Sequence, residues 1–314
     1  DMIRAAITGG STPLAGEVIK ILINHPDVEI SWIHDTQWEG APVSEIHKGL
    51  RGDTYMRFAS EAPMDDIDVV FLCDENSGEN RRFISANPPA DKTKVVDLSG
   101  EFLDDATFAD GDKWIFGLPE LCRKPLVRGA MNSAIPGPLT SVVLLSLLPL
   151  AKEQALVDGD IHVTAVVAEE DADPGEAIAL IDLEEADHIV RAIKSLQPEF
   201  DKSLTFMVIN GGWNRGISVS THFKCSLGEA ALRKMYEEYY ADHGFTFISD
   251  SLPTINEVAG TNKTIINIQK VGERAVISAT ADNLTKGGGG NAVHNMNLLF
   301  GLSERVGLAL KSQS

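Results

Sequence analysis

Residues able to do chemistry appear first in TGGSTPLAGE, residues 8–17. Gly9, Gly10 and Gly16 surround Ser11 and Thr12, between an apolar run (MIRAAIT, residues 2–8) and a helical pattern (VIKILINH, residues 18–25). Small residues at a strand-to-helix turn let backbone N–H groups approach a pyrophosphate, where the helix dipole also favours the anion. The tight GxGxxG spacing is absent: in the looser GxxGxxG spacing from Gly9, the later positions are Thr12 and Ala15. The loop therefore also reads as a tight turn that binds nothing. VEISWI (residues 28–33) runs into His34 and Asp35. An acid at the end of a second strand accepts from a ribose 2′-hydroxyl and repels a 2′-phosphate, so Asp35 points to NAD; a solvated loop acid is the competing reading.

The thiols offer less. Cys73, Cys122 and Cys225 are widely spaced, odd in number and without a CxxC pair, which argues against a disulfide framework or a metal site and for a reducing, cytoplasmic compartment. Cys73 closes the apolar run IDVVFLC where ligands sit in open α/β sheets, but no His or Lys follows to lower its pKa, so it reads as an inert buried thiol. Acids outnumber bases by 46 to 27, a net charge of −19, which excludes a basic footprint for nucleic acid or an anionic membrane. The apolar stretch 141–150 is too short to cross a bilayer, and the N-terminus enters a strand without a signal-type segment.

At 314 residues, 43% apolar and 23% charged, the chain is expected to form two domains. IDVVFLC (67–73) and KVVDLS (94–99) read as buried parallel strands, with a helix between them that begins at Glu79 to Arg82. DLSGEF (97–102) and WIFGLPEL (114–121) read as loops. A rigid Pro136-Gly137-Pro138 turn then opens the uncharged apolar helix of IPGPLTSVVLLSLLPL, residues 135–150, at the boundary where an enzyme of two domains usually does its chemistry. Beyond it, IHVTAVVA (161–168) and four further β-rich runs predict a mixed or antiparallel sheet. A helix over 183–196 carries His188, expected at its surface, and a second helix is expected to close at Gly244. Lys286 to Asn291 reads as a glycine loop followed by an apolar helix to Leu302, the glycines permitting close approach to a ligand or serving as a hinge.

Several of these runs carry a family resemblance. DLSGEF resembles DLSxxF, FGLPEL (116–121) resembles YGLPEL, and DNLTKGGGGNAVHNMNLLFGL (282–302) resembles DNLxKGAxGQAVxNMNLMFGL; NRGI (214–217) and VAGTNKT (258–264) are similar to two further runs. Together they resemble the N-acetyl-γ-glutamyl-phosphate reductases of arginine biosynthesis, relatives of aspartate-semialdehyde dehydrogenase, over essentially the whole chain. The resemblance implies an acyl-phosphate reductase of two domains. A cysteine thiolate attacks the γ-carbonyl, phosphate leaves, and hydride from NADPH releases a semialdehyde from the thioester. It also implies a homo-oligomer, dimer or tetramer, formed through the outer surface of the second domain's sheet.

The departures fall on the chemistry. The family's nucleophile lies in NPGCYPT, and NPGC laid over residues 135–138 puts Pro138 at the cysteine, removing both the sulfur and a backbone N–H at the helix start. The HxHxPEI run falls on residues 194–200, with Lys194 and Leu196 at the histidine positions. An SGAGR-type substrate loop is replaced by EEDADPGE (169–176), whose acids would repel a carboxylate and a phosphate. The expectation is an α/β chain. A Rossmann-type doubly wound parallel sheet (1–138 and 287–314) receives an inserted α+β domain (139–286). No catalytic residue is assigned, and no metal. A dinucleotide, NADP or NAD, would be held by Gly9, Gly10, Ser11, Thr12 and Asp35, with Gly288, Gly289 and Asn291 by resemblance near the nicotinamide. Three readings stand: a family member without thiol-dependent turnover, a reductase using another nucleophile or substrate, and a non-catalytic structural or regulatory partner.

Overall fold

The computed structural model describes residues 1–178 and 183–313. The chain divides into two compact units, Asp1–Pro136 with Gly288–Ala309, and Gly137–Gly287 with Leu310–Ser314.

The first unit is built on a sheet whose described strands are β1 (Ile3–Thr8), β2 (Val28–His34), β3 (Phe58–Ala59), β4 (Val69–Leu72), β5 (Lys94–Asp97), β6 (Trp114–Phe116) and β7 (Asn132–Ala134). Their spatial order is β3-β2-β1-β4-β5-β7-β6 and every pairing is parallel. The chain winds outward in both directions from β1, a doubly wound arrangement whose ligand crevice is expected beyond the strands' carboxyl ends. β4 is buried along its whole length, as expected of a strand covered on both faces, which is why VVFL shows no polar alternation. Two predicted loops are partly regular: WIF forms β6, and the PEL that follows opens the Pro119–Val127 helix. Three-residue strands carry too little periodicity to be seen in sequence, and the same holds for β7.

The second unit holds β8 (Ile161–Val167), β9 (Ala177–Ile178), β10 (Leu204–Asn210), β11 (Ile217–Lys224), β12 (Thr246–Ser249), β13 (Thr264–Val271) and β14 (Arg274–Ala281). The described strands form a mixed sheet of order β12-β13-β14-β11-β8-β10-β9, antiparallel at its centre and parallel in the β8/β10 and β12/β13 pairs. The Pro138–Lys152 helix packs on β11 and β14 and against the helices Leu183–Leu196 and Glu229–Tyr240. Packed against several elements, it is uncharged from Pro138 to Ala151, and its residues from Leu139 to Ala151 are buried. Tyr236 and Tyr240 donate their hydroxyls to the carbonyls of Ser146 and Leu145, so two buried phenols find partners on that helix. The alternation of β11, with Ile217, Val219, Thr221 and Phe223 buried and Ser218, Ser220 and His222 half-buried, leaves one face of the sheet uncovered.

Three expectations shift. His188 is 4% exposed, not superficial, because it lies beside Ile189, Ala192 and Ile193 on the inner face of its helix. The Glu229–Tyr240 helix stops short of Gly244. The last helix is Gly290–Leu299, ending before Leu302 where Gly301 takes a φ of 69°. Among the described residues no helix is long and apolar enough to cross a membrane.

Candidate functional site

In the first unit the turn after β1 is shaped by close backbone approach. Gly9 has a φ of +62°, and a Cβ there would lie 2.3 Å from the Asp74 nitrogen, so no other residue fits without strain. Thr12 caps the Pro13–Leu22 helix, accepting from Ala15 N, while its hydroxyl lies 3.0 Å from Gly9 O and 2.9 Å from Cys73 O. Gly10 N donates to His34 O, Thr12 N to Gly9 O, and Ser11 N to Asp35 Oδ2 at 3.1 Å. Asp35 Oδ1 also accepts from Gln37 N at 3.1 Å. Gly9, Gly10, Ser11, Thr12 and Asp35 thus come together in one loop cluster.

A cleft of about 280 Å³ opens at the carboxyl ends of β1, β2 and β4, its lining including Gly9, His34, Asp35, Asp74, Glu79 and Arg82. Burial lowers the pKa of His34, against a hydrogen-bonding contact of its Nε2 with Ser60 O at 3.1 Å and the nearby Asp35 and Asp74 charges. A dinucleotide fits here on one observation of this fold. The Asp35 carboxylate, oriented by the Ser11 N–H of the glycine turn, stands on the wall of the cleft, where it can accept from a ligand hydroxyl such as that of a ribose.

The neighbouring loops are tied down by residues that no motif singles out. Asn80, fully buried, accepts from Asp74 N and donates to Asp74 O and to Glu101 Oε1 at 2.8 Å. Glu101 in turn accepts from the backbone nitrogens of Asn80 and Arg81, an acid at the start of the Glu79–Ala86 helix. Asp97, at the end of β5, accepts from Ser99 N, Ser99 Oγ and Phe102 N. Its burial outweighs these donors and raises its pKa to about 6. Cys73 is 1% exposed, and burial, reinforced by Asp97 and Asp74, pushes its thiol well above the usual range; Cys122 is raised by burial too. Neither is a thiolate near neutral pH.

At the Gly288–Ala309 segment Gly289 serves packing. A Cβ on Gly289 would come within 2.8 Å of Glu17 Cβ and 3.0 Å of Val18 N, so this residue lets the Pro13–Leu22 helix approach. Gly288 is buried within the π-helical turn Thr285–Gly289. Asn291 is fully buried and donates Nδ2 to Gly117 O at 2.8 Å, where Asn295 Nδ2 also donates at 3.1 Å. One N–H of the Asn291 amide is thus used inside the unit, on the FGLPEL run.

In the second unit, Pro138 is the first residue of its helix, following Gly137 in extended backbone; Ser141 N donates to Gly137 O at 2.9 Å. A Cβ on Gly287 would lie 2.5 Å from Pro138 Cβ, so residue 287 has to be glycine for the chain to pass. Asp282, fully buried, is the hub behind this point. It accepts from Arg215 Nε at 2.9 Å and Nη2 at 3.2 Å, and from the backbone nitrogens of Gly260, Leu284 and Thr285, while Gly287 N donates to its carbonyl. Burial opposes its ionisation, but the Arg215 hydrogen bonds and charge prevail and hold its pKa below the usual carboxylate value. The acidic run is ordered by Asn210, which donates to Glu169 O and Ala172 O. Lys194 is exposed at the end of its helix and Leu196 is half-buried, its carbonyl accepting from Gln154. Among the described residues no group of three His, Cys, Asp or Glu is placed to hold a metal ion.

Residues 4–128 match the family model described as "Semialdehyde dehydrogenase, NAD binding domain", and residues 183–283 that described as "Semialdehyde dehydrogenase, dimerisation domain". The chain is 36% identical over 324 residues to an N-acetyl-gamma-glutamyl-phosphate reductase of Parabacteroides distasonis, covering 99% of each chain. It is 35% identical over 332 residues to one of Flavobacterium johnsoniae, again covering 99% of each. Its fold is similar to aspartate semialdehyde dehydrogenase II of Vibrio cholerae, with a TM-score of 0.71 at 14% identity over 96% of this chain and 99% of the other. A probable aspartate-semialdehyde dehydrogenase of Pseudomonas aeruginosa gives a TM-score of 0.67 at 14% identity, with coverage of 96% and 99%.

Proposed function

The chain belongs to the N-acetyl-gamma-glutamyl-phosphate reductase family, and from that premise we propose that it is a dinucleotide-binding, homo-oligomeric member that no longer performs the thiol-dependent reduction of an acyl phosphate. The observation that carries the proposal is Pro138 at the first position of the Pro138–Lys152 helix. Proline there has neither a sulfur to attack a carbonyl nor an N–H to steady the oxyanion that attack creates. The other thiols do not substitute: Cys73, Cys122 and Cys225 are buried, and the first two are held protonated. Lys194 and Leu196, at the resemblance's histidine positions, supply no imidazole.

Dinucleotide binding rests on the first unit. Asp35 would accept from the adenosine ribose, and the Gly9 to Thr12 turn, whose own N–H groups are bonded within the fold, would present the N-terminus of the Pro13–Leu22 helix and its dipole to the pyrophosphate. When bound, the dinucleotide supplies hydride chemistry at its nicotinamide ring. The chain's own part is to bind and orient it.

The test is the phosphate-dependent reverse assay with N-acetylglutamate semialdehyde and oxidised dinucleotide, run alongside cofactor titration. The unmodified protein is expected to bind cofactor without turnover, and Pro138→Cys to acquire a thiol that acyl-phosphate analogues modify, detected by mass spectrometry. Phosphate-dependent turnover by the unmodified protein would sink the proposal.

A further inference from the structure

The cleft beside β2 carries more information than dinucleotide binding. We propose that Asp35 makes it selective for a dinucleotide with a free adenosine 2′-hydroxyl, so that the chain takes NAD in preference to NADP. The inference rests on the dinucleotide reading above and deepens it.

Asp35 is not a swinging surface acid. Its two carboxylate oxygens are each held by a backbone donor, Oδ2 by Ser11 N and Oδ1 by Gln37 N, both at 3.1 Å. Rotating it away to admit a phosphate would strip both nitrogens of their acceptor. The carboxylate is thus fixed at the end of β2, in the position from which an acid reads the ribose.

The rest of the lining adds to the discrimination. Asp74 and Glu79 bring further negative charge to the same cleft. The cation among the described lining residues is Arg82, whose Nη1 pairs with Glu79 Oε1 at 2.6 Å, so a phosphate would have to share this exposed guanidinium with an acid already beside it. His34 would help a phosphate only when protonated, and burial disfavours its charged form. A 2′-phosphate carries close to two negative charges at neutral pH and would meet three acids against one guanidinium already paired with one of them. A 2′-hydroxyl meets an acceptor that it can use.

The experiment is calorimetric titration of the full chain with NAD and NADP at matched ionic strength, repeated with Asp35→Asn and Glu79→Gln. In the Asp35→Asn variant the amide oxygen would still accept from Ser11 N, so the loop should survive, which melting curves would check. The expected result is NAD binding at least about tenfold tighter than NADP, with the ratio moving about tenfold toward NADP in Asp35→Asn. Glu79→Gln, which releases Arg82 from its ion pair without touching the turn, should move the ratio in the same direction by a smaller factor. NADP binding as tightly as NAD in the unmodified protein overturns the inference and leaves dinucleotide binding standing. An NAD preference that both substitutions leave unchanged overturns the assignment to Asp35. Failure of either coenzyme to bind overturns the dinucleotide reading itself, and the inference with it.

Discussion

Asp97 shows how much one buried side chain can ask of its surroundings. It is fully buried with three donors on its oxygens, yet its pKa stands at about 6 rather than at the ordinary 3.8, so burial outweighs those donors. A carboxyl raised in the folded state binds its proton more tightly there than when unfolded. Its contribution therefore declines as pH rises from about 4 to about 6, by at most about 3 kcal/mol, and is constant above. Asp97→Asn should abolish that part of the pH dependence. Denaturant unfolding at pH 4.5 and 7.5 would check it: the unmodified protein should lose more stability between the two than the variant does, and parallel losses would refute the assignment. Pro138 makes the opposite point at the same scale. Proline has neither a thiol nor a backbone N–H, so the proposed loss of thiol chemistry at residue 138 needs no energetic accounting.

At the scale of elements, one carboxylate joins three loops of the second unit. The NRGI run, the VAGTNKT run and the turn after β14 meet at Asp282, through Arg215, Gly260 N and Thr285 N. Removing the carboxylate would leave Arg215 and buried backbone donors without their acceptor, a loss of about 3–5 kcal/mol. Asp282→Ala is expected to lower the urea midpoint accordingly, and Arg215→Ala by less. The double variant should cost clearly less than the sum, since both remove the same bond. Additive losses would show that the hub is not one cooperative unit. Because the Asp282 pKa is depressed in the folded protein, its contribution is present above the unfolded carboxylate range and is lost as pH falls through the folded value.

For the molecule as a whole, the uncovered face of the second sheet is the feature with consequences. On it Ser220 lies opposite Ser278 of β14 and Thr164 of β8, small hydroxyl residues that let a second sheet come close. The residues matching the dimerisation-domain model, 183–283, span β10 to β14. Ser220→Lys places a charge at the centre of that face and should convert an oligomer to a monomer with an unchanged circular dichroism spectrum. Sedimentation velocity decides it. A monomeric unmodified protein, or a variant that sediments as the unmodified chain does, would show that this face is not the interface.

Much of this is legible without coordinates. The long strands, the apolar helix from Pro138 and the family itself follow from local periodicity and from runs such as DNLTKGGGG, because backbone pattern and motif are properties of neighbouring residues. So does the presence of proline at residue 138, on which the proposed loss of the thiol rests, since the identity of a residue needs no fold to reveal it. What only the tertiary structure decided concerns partners distant in sequence. It tied Asp35 to Ser11, Asn80 to Glu101, and Asn291 to Gly117, and turned His188 inward. It also gave Gly289 a helix to accommodate rather than open space. Hydrogen bonding and burial are decided by which surfaces meet, and residues 24 or 174 apart meet only once the sheet has ordered its strands.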